Sequence, residues 1–380
     1  MRLLFISEFF PNLSNPVISG GVETRAYYTA QHLAQNHQVT VLSRRRKGEK
    51  AFQEKGSLKI FRLGRPVDSS IASIFSLLDR LVFVFQSFVK GLSIQADLVE
   101  GSNYVTFFQA YFIGLIKKIP KLAWYPDVLI GQWQKYFGGF LGLFGEIGER
   151  ISLFLPWDYY IAISQSTADK LVKNGVKKDK ITVISCGVDQ EMFSRKQPKF
   201  SNPTLVVVSR LLPYKHVDKV ITALENLRND FPKIKLVVIG EGPEKRKLER
   251  QMNDLGLEKQ VRFLERLPKV RLIELLAKSH VLVHPSVIEG FGIVLVEAAA
   301  AGTPFVATDI PTSLMLSKSL GLGVIVKKRS PDEIVQAVEK LLEDKDFYLK
   351  KQKAGLINAR KFSWKKLTDL TEKVYEKALS

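Results

Sequence analysis

Residues His284 to Asp309 read HPSVIEGFGIVLVEAAAAGTPFVATD. The apolar run Val281 to Val283 just ahead of them is a strand. Pro285 to Gly292 is a loop in which two glycines flank Phe291. Ile293 to Ala301 is an alanine-rich helix stopped at Gly302, and Pro304 to Ala307 is the next strand. Strand, glycine-bearing loop, helix and strand make one βαβ unit. Ligands of such units gather at the carboxyl ends of the strands, where a helix N-terminus offers free N–H groups and a positive dipole. Two carboxylates fall at this place, Glu289 in the loop and Glu297 in the helix.

Outward from that unit the chain keeps alternating. Toward the N-terminus, strands are expected at Thr204 to Val208, Ile234 to Ile239 and Val261 to Leu264. Helices follow them at His216 to Asn229, from Gly242-Pro243 to Leu255, and at Val270 to Lys278. Beyond the unit lie a short strand, Gly323 to Val326, a helix, Pro331 to Leu342, and a helical stretch from about Asp346 to Leu379. Gln190 to Asn202 lacks periodicity and reads as a linker. Ahead of it a second alternating series begins with the strand Leu3 to Ile6, a long loop ending in Gly20-Gly21, and a helix from Val22 to Gln35. Strands at Val39 to Leu42, Leu58 to Leu63, Asp97 to Glu100, Lys121 to Tyr125, Tyr160 to Ile163 and Ile181 to Ile184 follow. Between them lie an apolar helix, Ile71 to Ile94, a second helix, Val105 to Ile116, and the aromatic, glycine-rich stretch Val128 to Pro156. Ser164 or Ser166 caps the helix Thr167 to Asn174. Two βα series of similar size mean two Rossmann-like domains: residues 1–190, with a C-terminal helix at about 360–380 packing back on it, and residues 203–345, joined by 191–202.

Composition narrows the function. The chain has 380 residues, 46% of them hydrophobic, and one cysteine, Cys186, which suits a reducing compartment. The N-terminal MRLLFIS is too short and too soon broken by Glu8 to be a leader, and no run approaches the ~20 apolar residues of a spanning helix. A net charge of +19 suits an anionic partner. Nucleic acid is not expected, because no zinc framework, basic helix or RNP motif occurs. The run Arg44-Arg45-Arg46-Lys47 reads as a solvated loop. His280 and His284 lack further ligands for zinc, and Asp344-Lys345-Asp346 lies away from any strand end, so no metal site is expected. Neither GxGxxG after the first strand nor GxxxxGK[ST] is present.

Particular residues carry the chemistry. Arg210 follows a strand end and Lys215 lies five residues on, a natural clamp for a diphosphate; the plain alternative is a solvated basic loop. Gly20 and Gly21 let backbone approach a ligand at a helix N-terminus, or belong to an ordinary loop. Glu297 can accept hydrogen bonds from vicinal hydroxyls, or simply stabilise its helix dipole. Glu289 stands among glycines whose N–H groups can reach a phosphate or sugar, or is a solvated loop carboxylate.

Taken together, the sequence resembles the GT4-like retaining glycosyltransferases of the GT-B fold. The motifs that carry the resemblance are EGFGIVLVE (Glu289 to Glu297), SRLLPYKHVDKVITAL (Ser209 to Leu224), VVIGEGP (Val237 to Pro243), GGVE (Gly20 to Glu23) and ISCGVDQEMF (Ile184 to Phe193). The resemblance covers nearly the whole chain. It implies two Rossmann-like domains facing across a cleft and a metal-independent hexosyltransferase of class EC 2.4, without cofactor, using a UDP- or GDP-sugar. Arg210 and Lys215 would hold the donor diphosphate, and Glu297 the ribose. Glu289 with Gly290, Phe291, Gly292, Ile293 and Val294 would meet donor sugar and phosphate. Gly20 and Gly21 would approach the diphosphate, and Gly240 and Leu267 complete the donor set, with the base near Arg266 and Leu267.

Two departures stand out. Many relatives carry His, often His-Asp, where this chain has Trp124-Tyr125-Pro126-Asp127, leaving Asp127 as the substitute catalytic group. After Asp309, Ile310-Pro311-Thr312-Ser313 lacks the relatives' Gly-Gly and Glu. A GT-B protein that binds a nucleotide or glycan without turnover is the alternative these raise. The resemblance places the acceptor, a glycan or a lipid-linked molecule, in the N-terminal half. The exposed aromatics expected there, beside Lys117, Lys118, Lys121 and Lys135, would suit an anionic membrane surface, or else pack over the core. The expected location is cytoplasmic, with peripheral attachment to the cytoplasmic face of a membrane as the further option.

Overall fold

The structure is a computed structural model. It describes residues 1–380 except 15, 17, 19, 68–73, 190–196, 266 and 328–329, and describes the backbone alone of 74–76. The start of the helix expected at Ile71, the first part of the expected linker, Phe193 and Arg266 therefore lie outside the described residues.

The chain divides into two compact units. Unit 1 is residues 1–186 together with 364–380, and unit 2 is residues 187–363. Unit 2 therefore extends beyond the expected 203–345 and takes in the helix Lys345–Asn358.

Unit 1 is built on an eight-stranded sheet in the order β3-β4-β2-β1-β5-β6-β7-β8. The strands are β1 (Arg2–Ser7), β2 (Gln38–Arg46), β3 (Phe52–Lys55), β4 (Leu58–Val67), β5 (Leu98–Gly101), β6 (Lys121–Tyr125), β7 (Tyr159–Ala162) and β8 (Ile181–Val183). All pairings are parallel except β3 against β4. The edge strand β3 is not among the expected strands. Its four residues FQEK carry no apolar run, and the close antiparallel turn onto β4 forms it. The helices are α1 (Gly21–Leu33), α2 (Ile74–Ser93), α3 (Phe107–Lys117), α4 (Trp133–Phe137), α5 (Gly139–Phe154) and α6 (Gln165–Lys173). Ser164 is the cap of α6, its hydroxyl accepting from Thr167 N at 3.2 Å. The aromatic stretch after β6 folds into the α4–α5 hairpin. Gly142 and Gly145 let it close, because a Cβ at Gly145 would lie 2.2 Å from the Trp133 ring.

Unit 2 has a six-stranded sheet in the order β11-β10-β9-β12-β13-β14, all parallel. Its strands are β9 (Thr204–Val208), β10 (Lys235–Ile239), β11 (Val261–Leu264), β12 (Val281–His284), β13 (Phe305–Thr308) and β14 (Val324–Val326). The central strands β9, β12 and β13 are buried on both faces, which is why they read as continuous apolar runs. The covering helices are α7 (Val217–Asp230), α8 (Lys245–Asp254), α9 (Lys269–Lys278), α10 (Ile293–Ala300), α11 (Pro311–Leu320), α12 (Pro331–Glu343) and α13 (Lys345–Asn358). Helix α11 is not among the expected helices; Pro311 opens it at a position where its missing N–H costs nothing. The C-terminal stretch is not one helix, as a 3₁₀ turn, Ala359–Phe362, separates α13 from α14 (Trp364–Leu379). Asp344 caps α13, its carboxylate accepting from Phe347 N at 2.8 Å.

Helix α14 belongs to unit 1. Trp364 stacks on Tyr28 of α1 with ring centroids 5.1 Å apart. Tyr375 donates to Glu100 at 2.6 Å. Glu100 is also paired with Arg25, whose guanidinium lies 5.1 Å from the Trp124 ring centre, so three distant parts of the chain share one buried charge cluster.

Candidate functional site

In unit 2 the chain enters at β9, builds outward through β10 and β11, then returns to place β12 on the other side of β9. The connections leaving β9 and β12 therefore diverge and open a crevice at their carboxyl ends, the usual ligand position of such sheets. Two of the expected residues meet there. Lys215 ends the 3₁₀ turn Pro213–Lys215 after β9, and its ammonium donates to the Glu289 carboxylate in the loop after β12. His284, the last residue of β12, brings Nε2 to 3.0 Å from the same carboxylate oxygen. The two loops are also tied by Val287 N donating to Tyr214 O at 3.1 Å.

Glu289 is thus not a solvated loop carboxylate. Burial pushes its pKa up, but the Lys215 ammonium and the His284 ring outweigh burial and hold it well below the usual carboxylate range. The loop that carries it is fastened from both sides. Thr308 donates its hydroxyl to Ser286 O, and Thr312 at the start of α11 donates to Glu289 O at 3.3 Å. Gly292 takes φ +82°, a left-handed conformation that glycine adopts freely, and hands the chain into α10. Gly290, Phe291, Ile293 and Val294 lie along this loop and the first turn of α10, beside Glu289.

Arg210 is exposed just after β9, with Nη2 3.2 Å from the Tyr214 hydroxyl. The face of the same tyrosine carries Lys215, 5.3 Å from the ring centre. Tyr214 therefore spaces the two cations. The neighbouring strand braces this segment. Ser209 N donates to Ile239 O at 3.1 Å and Leu211 N to Glu241 O at 2.8 Å. Gly240, with φ +151°, has a reason within the chain, because a Cβ there would lie 1.8 Å from Ser209 O.

Glu297 is buried in the second turn of α10 and receives the ammonium of Lys269, the first residue of α9. Leu267 is half-buried on the segment leading into that helix. Lys269, Tyr214, Thr312 and the pairing role of His284 lie outside the set expected from sequence. The signal available for Lys269 is physical: a carboxylate inside an apolar helix needs a cation, and Lys269 opens the helix after β11.

Unit 1 holds the remaining expected residues. Gly20 is the N-cap of α1, and neither Gly20 nor Gly21 would bring a Cβ within 4 Å of anything. Asp127, just past β6, is paired: Oδ1 accepts from Lys170 Nζ at 2.6 Å and from Val128 N at 2.8 Å.

The sheet of unit 1 reverses between β1 and β5, and a polar cluster occupies that point. Glu8 follows β1 and accepts from Arg80 Nε at 2.8 Å and Asn103 Nδ2 at 3.5 Å. Arg44 lies 3.6 Å from Glu8 and 3.7 Å from Asp79. Its run is therefore not a solvated loop. Arg44 and Arg46 are part of β2, Arg44 is fully buried, and Arg46 pairs with Glu23 at 2.7 Å. Among the described residues, Arg44 Nε, Nη1 and Nη2, Ser102 Oγ and Asn103 Oδ1 have no hydrogen-bond partner.

Among the described residues no group of three or more His, Cys, Asp or Glu side chains is placed to hold a metal ion. No helix among them is long and apolar enough to cross a membrane.

Comparison with known proteins reaches over most of the chain. The family model for glycosyl transferases group 1 matches residues 189–362, and that for glycosyltransferase family 4 matches residues 19–192. A phosphatidylinositol N-acetylglucosaminyltransferase subunit of Arabidopsis thaliana is 24% identical over 397 residues, covering 100% of this chain and 82% of the relative. The glycogen synthase of Mycobacterium tuberculosis is 25% identical over 400 residues, covering 99% of this chain and 94% of the relative. Among solved structures, sucrose-phosphate synthase from Thermosynechococcus elongatus superposes with a TM-score of 0.82 at 17% identity, covering 99% of both chains. Anabaena HepE in complex with UDP-glucose gives 0.75 at 18% identity, covering 99% of this chain and 100% of that one.

Proposed function

The chain belongs to the GT4-like, group 1 glycosyltransferases of the GT-B fold, and from that premise we propose that it moves a sugar from a UDP- or GDP-sugar to an acceptor with retention at the anomeric carbon and without a metal. The observation that carries the reading is the Lys215–Glu289–His284 cluster at the carboxyl ends of β9 and β12. HepE, solved with UDP-glucose, supports the choice of donor class.

The roles follow from the chemistry. As the sugar's C1 leaves, negative charge grows on the diphosphate and positive charge on the ring. Arg210 is exposed and can turn onto the phosphates as a bidentate donor. Lys215 has three N–H donors, so it can keep Glu289 and still offer one to phosphate. Fixed cations aimed at the leaving group stabilise the transition state without reorganising. The N–H groups opening α10 serve the same charge. Glu289 stays ionised and faces the sugar. Glu297, positioned by Lys269, takes the ribose hydroxyls. The bond from C1 to phosphate oxygen breaks, the bond from C1 to acceptor oxygen forms on the same face, and the acceptor proton passes to an oxygen of the departing diphosphate.

The acceptor, a glycan or a lipid-linked molecule, is assigned to unit 1. Arg80 and Asn103, held by the buried Glu8 and Arg44, would read its hydroxyl or anionic groups, and Asp127 would lie on the acceptor side.

The test is a thermal-shift panel with UDP, GDP, ADP and their sugar conjugates on the wild type and on Arg210→Ala. A ligand at about 100 times its Kd should stabilise the fold by about 2.7 kcal/mol. One nucleotide that shifts the wild type and not the variant supports the clamp and identifies the base. No shift with any nucleotide, from folded protein, sinks the donor site. A shift without hydrolysis or transfer supports a binding protein that does not turn over.

A further inference from the structure

Three helices of unit 1 carry apolar side chains on their solvent faces, where polar residues would ordinarily lie. On α2, Leu78, Leu81, Phe85 and Val89 recur at helical spacing and are all exposed, Phe85 to 68%. On α3 the exposed stripe is Phe112, Leu115 and Ile116. On α5 it includes Phe140, Phe144 and Phe154, at 71%, 51% and 87% exposure. The three helices are neighbours. Gly91 of α2 sits against Ile113 of α3, where a Cβ would come within 2.4 Å of the isoleucine, and Gly148 of α5 sits against Phe108 of α3. The three helices thus lie side by side with α3 in the middle, and each turns an exposed apolar stripe to solvent, a kind of surface that soluble proteins rarely leave open.

The charges around it choose the occupant. The acids on these helices are each held by a partner, Glu146 by Arg150 as well. Asp79 faces Arg44, Glu146 accepts from Gly131 N at 2.8 Å, and Glu149 accepts from Leu129 N at 3.1 Å and Trp133 Nε1 at 2.6 Å. Of the nearby cations, Lys90 lies on α2, Lys117 on α3, Lys118 on the turn after α3, and Lys135 on α4, which pairs with α5 in the hairpin. Next to Leu115 opens a cavity of about 740 Å³ whose lining includes Lys118, Lys121, Lys180 and Lys377, against Asp158 and Asp179. An apolar face with a basic rim fits an anionic bilayer. A second copy of this chain would bring like rims together, in a protein of net charge +19.

We propose that the α2–α3–α5 face docks on the surface of an anionic bilayer, the three stripes entering the headgroup and acyl boundary and the lysine-lined cavity taking a lipid phosphate. Docking stands on the face alone. Of the two acceptor classes it favours the lipid-linked one, and that clause rests on the function proposed above.

The experiment is flotation of the full chain with phosphatidylcholine vesicles, with and without phosphatidylglycerol. Three proteins are compared: wild type, Lys118→Glu and the double variant Phe85→Asp/Phe144→Asp. Wild type should float with the anionic vesicles and stay behind with the neutral ones. Lys118→Glu should bind about tenfold more weakly, and the double variant should lose binding. All three should keep the same nucleotide thermal shift, which shows that they are folded. Failure of the wild type to float, or equal flotation with neutral vesicles, overturns the proposal. So does a wild type that sediments as a dimer and becomes monomeric in the double variant, which would make the face an interface between copies. Flotation without any nucleotide shift leaves docking intact and removes the donor reading instead.

Discussion

Lys215 and Glu289 each depend on the other, because Lys215 is buried and the Glu289 side chain retains only 18% exposure. Breaking such a pair leaves a desolvated charge behind. Lys215→Ala is expected to cost about 3 kcal/mol in urea unfolding, in addition to abolishing transfer. The double variant Lys215→Ala/Glu289→Ala should cost less than the two single variants together by about 1 kcal/mol or more. Simple additivity would mean that the pair is not a unit. The residue scale also marks the limit of what the chain's letters disclose. EGFGIVLVE places both carboxylates at a strand end because its glycines, helix and flanking strands are all local. The partners of those carboxylates are not local. Lys215 lies 74 residues from Glu289 and Lys269 lies 28 from Glu297. Arg44 reads as solvated because Glu8 and Asp79, which receive it, come from a loop and a helix elsewhere.

Among the elements, the α4–α5 hairpin is fastened by one unusual group. Glu149 is almost wholly buried, and burial pushes its carboxyl up to about 7, against the opposing hydrogen bonds from Trp133 and Leu129. The unfolded carboxyl titrates at 4.5, so the folded form holds its proton to higher pH. Its contribution to stability is therefore full below about pH 4.5 and is lost as pH rises through about 7, a difference of about 3 kcal/mol. Glu149→Gln removes the titration. In urea melts the variant should exceed the wild type by about 2–3 kcal/mol near pH 8 and lose that advantage near pH 4.5; an equal difference at both pH values would rule the assignment out. Elements differ in how far they can be read from sequence. Buried parallel strands announce themselves as apolar runs. The edge strand β3 and helix α11 do not, since FQEK is mostly polar and PTSLMLSKSL lacks a clear apolar period. Tertiary pairing and the covering of β14 decide them instead.

At the scale of the molecule, the two units differ in what their surfaces offer. Unit 2 presents fixed charge at a strand crevice, and unit 1 an apolar, basic-edged face. Hydrogen exchange should separate them. Nucleotide is expected to slow exchange in 209–216 and 284–297, and anionic vesicles to slow it in α2, α3 and α5. Nucleotide protection confined to unit 1 would reverse the assignment of sites. The buried cluster of Arg25, Glu100 and Tyr375 adds a constraint in time. A ribosome delivers the arginine and the glutamate early, and the tyrosine only after every residue of unit 2 has been joined. The contiguous unit, 187–363, can finish while its discontinuous neighbour still waits for its last helix. During synthesis the strands of the N-terminal sheet are all present early, and what unit 1 lacks until the end is helix α14, with the Trp364 ring that stacks on Tyr28 and the Tyr375 hydroxyl that completes the charge cluster.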